Sequence, residues 1–411
     1  MATNFYVDIS LDFVNRSGLD STTNVATGPG GLLAIIHGRG AVTTAAAAGD
    51  TVYIKGTGYL KQLANLTTGA DKSGTWAIGD SVQDNNTGSE WTGKIIYIST
   101  TTVRVQVNSG KTYADITAAN GIHNTTRTDT TTISKANMGI TFNASGSLAN
   151  GHIKFIGVEG TGWTVDGTRA VLDCDNIGSA DGLSFNGQDF IWLQHLELAN
   201  PDESGIGCSA AYTDYHVFWD LYIHHSDVYG INSNGYLRYC LFYKCRFSSC
   251  GNCAIYRSTS WTCIACLFEA CTNGAMNTIS AGLAYGCIFR DCTSQNIDMY
   301  SGGWLVHCVS EDPSGTNARG IESSYAFLVC VGCRSTNAIE SGQAAFTGTS
   351  GVPVLCVQCV ADNNTAGYLN NVNIECINAP GDTNQGYTDP STDDYNLAAA
   401  ATKRSVAVTI P

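Results

Sequence analysis

The chain has 411 residues, of which 43% are hydrophobic and 14% charged, and it includes 45 glycines. Few charges together with abundant Gly and Thr favour many short strands and turns, and they exclude a mainly helical protein. The formal net charge of −14 and the lack of a basic cluster exclude a nucleic-acid groove, and no apolar run is long enough to span a membrane.

The first residues, MATNFYVDIS, contain no basic segment, apolar segment or cleavage site. We therefore expect no Sec signal peptide and synthesis in a host cytoplasm. Residues 45–60, AAAAGDTVYIKGTGYL, resemble the opening of many parallel β-helix proteins. The resemblance implies a short helix that ends in the alanines at 45–48, caps the solenoid and precedes the strand of the first coil.

Residues 70–132 interrupt this pattern. The segment GDSVQDNNTGSEWTGKIIYISTTTVRVQVNSG (79–110) predicts two or three antiparallel strands joined by Gly and Asn turns. We interpret it as a small β insertion. Thr-rich modules of this kind, with W-x-G before alternating Ile and Val, resemble those of bacteriophage structural proteins.

A repeat of 20-odd residues dominates the rest of the chain. It is marked by cysteines spaced 17 to 26 residues apart, namely Cys240, Cys266, Cys287, Cys308, Cys333, Cys359 and Cys376. In the first three repeats a second cysteine follows five residues later, at Cys245, Cys271 and Cys292. Because strands of stacked coils lie about 4.8 Å apart, we expect the leading cysteines to form a ladder inside a solenoid.

Asparagines repeat in phase with the cysteines. They are Asn252, Asn273, Asn296, Asn317, Asn337 and Asn364, and each lies in a polar, turn-like stretch. Asn tolerates left-handed backbone, and its amide can bond the next Asn of a stack. We therefore predict a second structural ladder at one corner of the coils.

These repeats resemble the rungs of the right-handed parallel β-helix, or pectate-lyase-like, superfamily, over roughly residues 150–395. The predicted fold class is all-β: a β-helix solenoid with an N-terminal cap and a small antiparallel insertion. We divide the chain into a cap and first coil (1–69), the insertion (70–132), the β-helix (133–395) and a C-terminal tail (396–411). Fold alone does not specify activity.

The seventeen cysteines allow three interpretations. They can act as small hydrophobic residues that fill a narrow core, form disulfides between coils, or bind zinc as the C-x-x-C pairs 250/253, 263/266, 330/333 and 356/359. Zinc binding is disfavoured because residues i and i+3 of a strand face opposite ways, so these pairs cannot chelate a metal together. Core filling is therefore the favoured interpretation. We expect largely reduced thiols, no metal and no cofactor.

One segment, YTDYHVFWDLYIHHSD (212–227), is rich in groups that could transfer protons. Its fallback catalytic residues are Asp214, Asp220, His224 and Asp227, with His216 and His225 nearby. A polar outer face explains such a segment without catalysis, and it contains neither the vWIDH-type segment of pectate lyases nor the DPH signature of alginate epimerases. We therefore commit no residue to catalysis.

Two functions remain open. The first is a non-enzymatic virion protein of a bacteriophage, such as a decoration, fibre or spike subunit, that also binds surface glycans. The second is a polysaccharide-degrading enzyme: a tailspike depolymerase, lyase or hydrolase. The phage resemblance implies a position on the virion surface, other virion proteins as partners and, by analogy, a homotrimer.

Overall fold

The computed structural model describes residues 2–362 except 87–90, 159–161, 176, 177, 179, 209–211, 235, 236, 278–281, 301, 315–318, 337–343 and 349–353. Beyond residue 362 it describes the strands Ile374–Ile377, Tyr387–Asp389 and Asp394–Leu397. The chain divides into two compact units, Met1–Asp227 and Val228–Pro411. No helix in these described ranges is long and apolar enough to cross a membrane.

In the first unit, each full coil adds one short strand to each of three parallel sheets. The first sheet consists of Asn4–Asp8, Ala26–Thr27, Thr51–Lys55, Ile153–Gly157, Ile191–Gln194 and Val217–Trp219. The second sheet consists of Thr57–Tyr59, Ala170–Asp173, Leu196–Ala199 and Tyr222–His224. The third sheet consists of Ile140–Thr141, Leu183–Ser184 and Ser204–Gly207, and the short strand Thr213–Asp214 precedes the last strand of the first sheet.

Alternation of side chains along each strand builds the core of this unit. In the first sheet, Phe155 is in register with Val52 on one side and with Leu193 on the other, and Leu193 is in register with Phe218. All four side chains are at most 3% exposed. Their neighbours in sequence point outward, and these outward residues form the surface considered below.

The single α-helix of the described residues, Gly28–His37, caps the first unit. Its residues Gly28–Ile36 are all buried, and it ends at Gly38, which has a left-handed backbone (φ 58°). Ala45–Ala48 lie after the helix, in a loop where the Asp50 carboxylate accepts a hydrogen bond from Ala47 N at 2.9 Å. The expectation that these alanines end the helix was wrong, because Gly38 had already terminated it.

A seven-stranded antiparallel sheet lies between the first coil and the later coils in the sequence. Its strands are Leu63–Thr68, Ser81–Asp84, Thr92–Ser99, Thr102–Val107, Ile122–Asn124, Asp129–Thr131 and Ile133–Asn137, with short 3-10 turns at Leu60–Gln62, Tyr113–Asp115 and Ala118–Asn120. The first and last of these strands in the sequence, Leu63–Thr68 and Ile133–Asn137, pair with each other. Residues 79–110 supply three of these strands, which confirms the two or three antiparallel strands expected there, and the other four strands come from residues on either side of that segment.

The second unit repeats the three-strand coil. Its first sheet consists of Leu237–Tyr243, Thr259–Ile264, Gly282–Tyr285, Gly303–Val306, Leu328–Val331, Val354–Val357 and Ile374–Ile377. Its second sheet consists of Arg246–Ser248, Leu267–Glu269, Ile288–Arg290, Val309–Glu311, Arg334–Thr336 and Val360–Asp362. Its third sheet consists of Tyr229–Asn232, Ile255–Tyr256, Met276–Asn277, Gln295–Asp298, Arg319–Ser323 and Ala344–Gly348. The strands Tyr387–Asp389 and Asp394–Leu397 form an antiparallel pair.

These parallel coils, the cap and the antiparallel sheet confirm the predicted fold class, an all-β right-handed parallel β-helix.

Coils of the second unit turn from first to second sheet through one residue with a left-handed backbone. These first-corner residues are Lys244, Ala265, Gly286, His307, Gly332 and Gln358. A second-corner residue, also left-handed, follows five positions later at Ser249, Ala270, Asp291 and Asp312. The corner N–H groups bond the next coil; Lys244 N, for example, donates to Ile264 O at 2.9 Å. Such hydrogen bonds offset the cost of about 1–2 kcal/mol that a left-handed backbone imposes on a non-glycine residue.

The residue after each corner points into the core, and in this unit it is usually cysteine. The first-corner column is Cys245, Cys266, Cys287, Cys308, Cys333 and Cys359, and the second-corner column is Cys250, Cys271 and Cys292. Backbone hydrogen bonds stack neighbouring members; Ile288 N donates to Cys266 O at 2.9 Å. Each thiol also lies within hydrogen-bonding distance of backbone carbonyl groups near the corner. Cys287 Sγ lies 3.6 Å from both Tyr285 O and Cys263 O.

Two predicted members of the ladder need correction. Cys240 is in register with Trp261, and Cys376 is in register with Cys356. Both lie within strands of the first sheet, before the corner, whereas the stacked column begins with Cys245 after the corner. The spacing of cysteines in the sequence could not distinguish a position within a strand from the position after the corner, because the coils differ in length.

The C-x-x-C pairs behave differently from the expectation of opposite faces. Cys263 and Cys266 are both at most 1% exposed and their thiols are hydrogen-bonded to each other. The left-handed Ala265 between them turns the chain, so both side chains point inward. Among the residues described, no group of three or more His, Cys, Asp or Glu is arranged to hold a metal ion.

The asparagine ladder forms only in part. Asn273 Nδ2 donates to Asn252 Oδ1 at 3.0 Å, and the next position of this column is Ser294, whose Oγ lies 3.4 Å from Asn273 Oδ1. Asn296 is instead fully buried, and its Nδ2 donates to Ser310 Oγ at 3.0 Å. Asn317, Asn337 and Asn364 lie outside the described residues.

Asn296 leaves the asparagine ladder because the core beside it has space for its side chain. Phe247, Phe268 and Phe289 stack face to face, with ring centroids 5.2 and 4.9 Å apart. The next position in register is the much smaller Ser310. The Asn296 amide fills the remaining space and bonds the serine hydroxyl, so this asparagine is a core residue rather than a corner residue.

His216 of the first unit is also a core residue. It is 1% exposed, stacks on Phe185 with centroids 4.3 Å apart, and its Nε2 lies 2.8 Å from Thr213 Oγ1. Ile191 N donates to its Nδ1 at 3.2 Å. Burial lowers the pKa of His216 to about 3, so the imidazole is neutral near neutral pH.

We predict that the buried thiols are protected in the native protein. All sixteen cysteines with described side chains are buried, so a thiol reagent such as Ellman's reagent should label at most one site per chain before denaturation. In denaturant under non-reducing conditions most thiols should become reactive, because we expect them to be reduced. Rapid labelling of several native thiols, mapped by mass spectrometry, would contradict the buried columns.

We predict that His216 makes stability fall with acidity. Its pKa is about 3 in the folded chain against 6.5 for the free group. The unfolded state therefore binds the proton first, and unfolding free energy should decrease as pH falls from about 6.5 towards about 3, by at most about 1.4 kcal/mol per pH unit for one proton. Urea unfolding of His216→Gln should show a shallower pH dependence, and His225→Gln, at an exposed site, is the control. Equal slopes in the wild type and His216→Gln would refute the assignment.

Candidate functional site

The outward side chains around one corner of the first unit form a continuous aromatic and charged surface. We call it the corner surface, and it consists of Arg169, Trp192, Gln194, His195, Glu197, Trp219, Asp220, Tyr222 and His224. All of them are half-buried. His195 and Asp220 are the left-handed corner residues, with φ of 51° in both. The corner therefore joins the outer faces of the first and second sheets.

Aromatic rings occupy the first-sheet side of this surface. Trp192 and Trp219 stack with ring centroids 6.1 Å apart and an interplanar angle of 19°. The ammonium group of Lys154, one coil earlier, lies 5.3 Å from the Trp192 ring centroid. Flat aromatic faces with a cation at one side are suited to stacking on the apolar faces of sugar rings.

At the corner itself, Asp220 binds two cationic or titratable partners. Its Oδ1 accepts a hydrogen bond from Arg169 Nη2 at 2.6 Å, and its Oδ2 lies 2.8 Å from His195 Nδ1. Arg169 Nε also donates to the Asp220 carbonyl at 3.2 Å. The three groups come from three successive coils, so stacking alone brings them together.

A second histidine–carboxylate pair lies on the second-sheet side. His224 Nε2 lies 3.0 Å from Glu197 Oε1, and the two imidazoles of His224 and His225 approach to 2.7 Å between their Nδ1 atoms. Tyr222 stacks on His224 with centroids 4.3 Å apart. The carboxylates at the corner surface are thus held by fixed basic partners.

The structure separates the four fallback residues. Asp220 is the corner residue and His224 lies on the strand that follows it, four residues later and with different partners. Asp214 precedes the corner at Tyr215, and Asp227 follows the corner at His225, so neither lies on the strands of the corner surface. His216 is inside the core and is removed from the candidates.

Five members of the surface were not identified from sequence. They lie one or two coils before the segment 212–227 and are Arg169, Trp192, Gln194, His195 and Glu197. The sequence separation of the contacting residues could have indicated these pairs. His195 and Asp220 are separated by 25 residues, and Glu197 and His224 by 27. Both separations match a coil length.

The second unit contains a different group, a pair of buried carboxylates on its third sheet. Asp298 and Glu322 are in register on neighbouring coils and are 6% and 5% exposed. Ser324 Oγ donates to Asp298 Oδ1 at 2.8 Å, and Arg319 pairs with Glu322. Sequence analysis did not identify Glu322.

Burial raises the pKa of both carboxyl groups. For Asp298, the Ser324 hydroxyl and Arg319 oppose this effect. For Glu322, Arg319 opposes it and the charge of Asp298 adds to it. Thr347, in register with Glu322 on the next coil, is 4% exposed, and its buried hydroxyl has no hydrogen-bond partner among the described residues. Two exposed rings, Tyr300 and Tyr325, lie beside the pair, with centroids 4.2 Å apart.

Similar solved structures include enzymes and phage proteins. The pectate lyase Pel9A is 10% identical, with 100% of this chain and 90% of that chain covered and a TM-score of 0.49. A rhamnogalacturonan lyase is 10% identical, with 99% and 97% covered and a TM-score of 0.45. The tailspike protein gp49 from Pseudomonas phage LKA1 is 10% identical, with 76% and 67% covered and a TM-score of 0.26.

No protein-family model matches the chain, and no curated protein matches its sequence. The likenesses to solved structures identify no activity, substrate or partner for this chain. Its own described coils establish the conclusion about its class: it is a parallel β-helix protein with a capping helix and an antiparallel sheet.

Proposed function

We propose that this chain is a non-enzymatic structural protein of a bacteriophage particle that binds a surface glycan through the corner surface. The observation behind the glycan proposal is the stacked pair Trp192 and Trp219, which lies beside hydrogen-bonding groups fixed by Arg169, His195 and Asp220. Stacked indoles bind sugar faces, and oriented carboxylates and imidazoles bind hydroxyl groups. The proposed site is on the virion surface, with other virion proteins and further copies of the chain as partners.

The partners of the titratable groups suit a binding role. Asp220 is engaged by Arg169 and His195, and Glu197 by His224. These pairs hold the carboxylates and imidazoles in fixed orientations, in which their remaining lone pairs can accept hydrogen bonds from sugar hydroxyl groups. The pairs keep the surface rigid, so little conformational entropy is lost on binding.

The phage part of the proposal rests on other features. The Thr-rich antiparallel segment resembles modules of bacteriophage structural proteins, and each coil of a solenoid bonds both neighbours, which gives the stiffness that a projecting part needs. Co-purification of the chain with phage particles, detected by mass spectrometry of purified virions, tests this part. Its absence from particles would refute it.

We predict that glycan binding depends on the two indoles. Trp192→Ala or Trp219→Ala should weaken binding about tenfold, equivalent to about 1.4 kcal/mol, since each removes a stacking face without touching the core. The measurement is a glycan array of bacterial surface polysaccharides followed by calorimetry on the strongest hit. Trp304→Ala is the matched control, because Trp304 is a 54% exposed indole of the second unit. Equal losses in all three variants would contradict the corner surface as the site.

The alternative function, polysaccharide degradation, is favoured by one observation: the pair Asp298 and Glu322. Register-paired positions on parallel strands lie about 4.8 Å apart, near the separation of about 5–5.5 Å between the carboxyl groups of retaining glycosidases. Burial raises the pKa of both carboxyl groups, which is the direction that a general acid requires.

Under the proposed binding role, pure protein incubated with host capsular polysaccharide should release no new reducing ends and no unsaturated sugars. Turnover that is abolished in Asp298→Asn would establish the alternative. This variant keeps the side-chain shape and removes repulsion from Glu322, so we expect it to unfold at the same or a higher urea concentration. Turnover that persists in Asp298→Asn but is lost in Asp220→Asn would instead place catalysis at the corner surface.

A further inference from the structure

The outer face of the first sheet in the second unit is apolar. Along its strands the inward residues, such as Ala284, Leu305 and Cys330, are buried in the core, and the residues between them point outward. Six coils in register build two outward columns, which we call the apolar face and which contain no charged residue. They are Leu241, Thr262, Leu283, Trp304, Val329 and Leu355, and Tyr243, Ile264, Tyr285, Val306, Val331 and Val357.

This lack of charge distinguishes the apolar face from neighbouring outer surfaces. In the first unit, the outward residues of the first sheet include Lys154 and Gln194. On the second sheet of the second unit, the outward Glu269 accepts hydrogen bonds from Arg246 and Arg290. Charged side chains ordinarily occupy positions that face water, so an uncharged block of this length indicates a surface that a partner covers.

The exposed large hydrophobic side chains of the second unit support the same conclusion. Trp304 and Tyr285 project from the apolar face itself, and Phe327 directly precedes the strand Leu328–Val331. Every such side chain described in this unit belongs to a first-sheet strand or lies within three residues of one, and together they are Tyr239, Tyr285, Ile288, Tyr300, Trp304, Tyr325 and Phe327. Contiguous exposed apolar surface of this kind marks an interaction site.

The charge of the chain indicates which partner fits. Its net charge is −14, so two copies repel each other through most of their surfaces. Contact through the apolar face buries no ionised group and therefore avoids the cost of removing charges from water. An uncharged face is also complementary to itself, as a two-fold contact requires, because such a contact pairs the same patch on both copies.

The apolar face is large enough for this contact. With strands about 4.8 Å apart, six coils extend about 24 Å along the stack, and the width from Phe327 to Ile288 is about 20 Å. The projected area is therefore about 500 Å². Because side chains corrugate the surface, the accessible area is larger and approaches the roughly 600–1,000 Å² per partner of specific interfaces.

We propose that a second copy of this chain packs face to face on the apolar face, about a two-fold axis, and buries Trp304 and Tyr285 near the centre of a dimer. Aromatic side chains at the centre of an interface contribute most to affinity. One continuous patch suits a two-fold dimer, whereas a three-fold ring needs two different patches on each chain. The proposal rests on the part of the proposed function that names further copies of the chain as partners, and it assigns a dimer where analogy implied a trimer.

The test is sedimentation-velocity ultracentrifugation of the purified full chain over a concentration series. The wild type should form a concentration-dependent dimer. Trp304→Glu and Tyr285→Glu should each weaken it at least about 100-fold, because each substitution occurs twice across the two-fold axis and buries an unpaired carboxylate. Tyr285→Ser, which adds no charge, should weaken it about tenfold and decides the matter if the glutamate variants do not fold.

Tyr59→Glu is the matched control, because Tyr59 is a 42% exposed tyrosine of the first unit and Tyr285 is 48% exposed. It should change the dissociation constant less than about twofold. Raising the ionic strength from about 0.1 M to about 1 M should strengthen the dimer, because salt screens the repulsion between two acidic copies.

A trimer, equal losses in Tyr285→Glu and Tyr59→Glu, or a dimer that salt weakens would overturn the proposal. A monomeric wild type would also overturn it and would leave another virion protein as the occupant of the apolar face. Glycan binding and co-purification with particles are measured separately, so failure of this proposal is distinguishable from failure of the proposed function.

Discussion

The left-handed corner between the first and second sheets is the constraint on which the described coils depend. In the second unit it recurs at Lys244, Ala265 and the equivalent residues of later coils, and a second corner follows after five residues. Because both corners donate their N–H groups to the next coil, the short strand between them has a fixed length. The coils vary in length elsewhere, and this constant segment keeps them in register.

The same corner explains the cysteines. The residue that follows it enters a narrow part of the core and lies within reach of two backbone carbonyls, as Cys287 does with Tyr285 O and Cys263 O. A thiol is small and apolar, yet it is also a weak donor. Alanine would leave a cavity and no donor, and leucine would overfill the space. Cysteine therefore suits the position without disulfide or metal chemistry.

Outside the core, the corner sets the register of the coils and thereby determines which titratable side chains are in contact. Stacked coils bring Arg169, His195 and Asp220 together on the corner surface, where opposite charges satisfy each other. On the third sheet of the second unit, stacking brings two acids together, and their pKa values rise. The first group is balanced by its own members and belongs to the surface that we propose binds a glycan, whereas the buried acids motivate the alternative function.

The sequence by itself determined the fold class, the coil repeat and the inward position of most repeating cysteines, because hydrophobic periodicity and coil spacing are local properties of the chain. It could not determine the register of Cys240 or the interior position of His216 and Asn296. The first corners of the second unit are occupied by Lys, Ala, His and Gln as well as by Gly286 and Gly332, and only glycine among these residue types indicates a left-handed backbone. Contacts such as Arg169 with Asp220, 51 residues apart, or Asp298 with Glu322, exist only after each corner has set the register of its coil. Tertiary structure alone therefore decided which charged groups are paired and which are buried together.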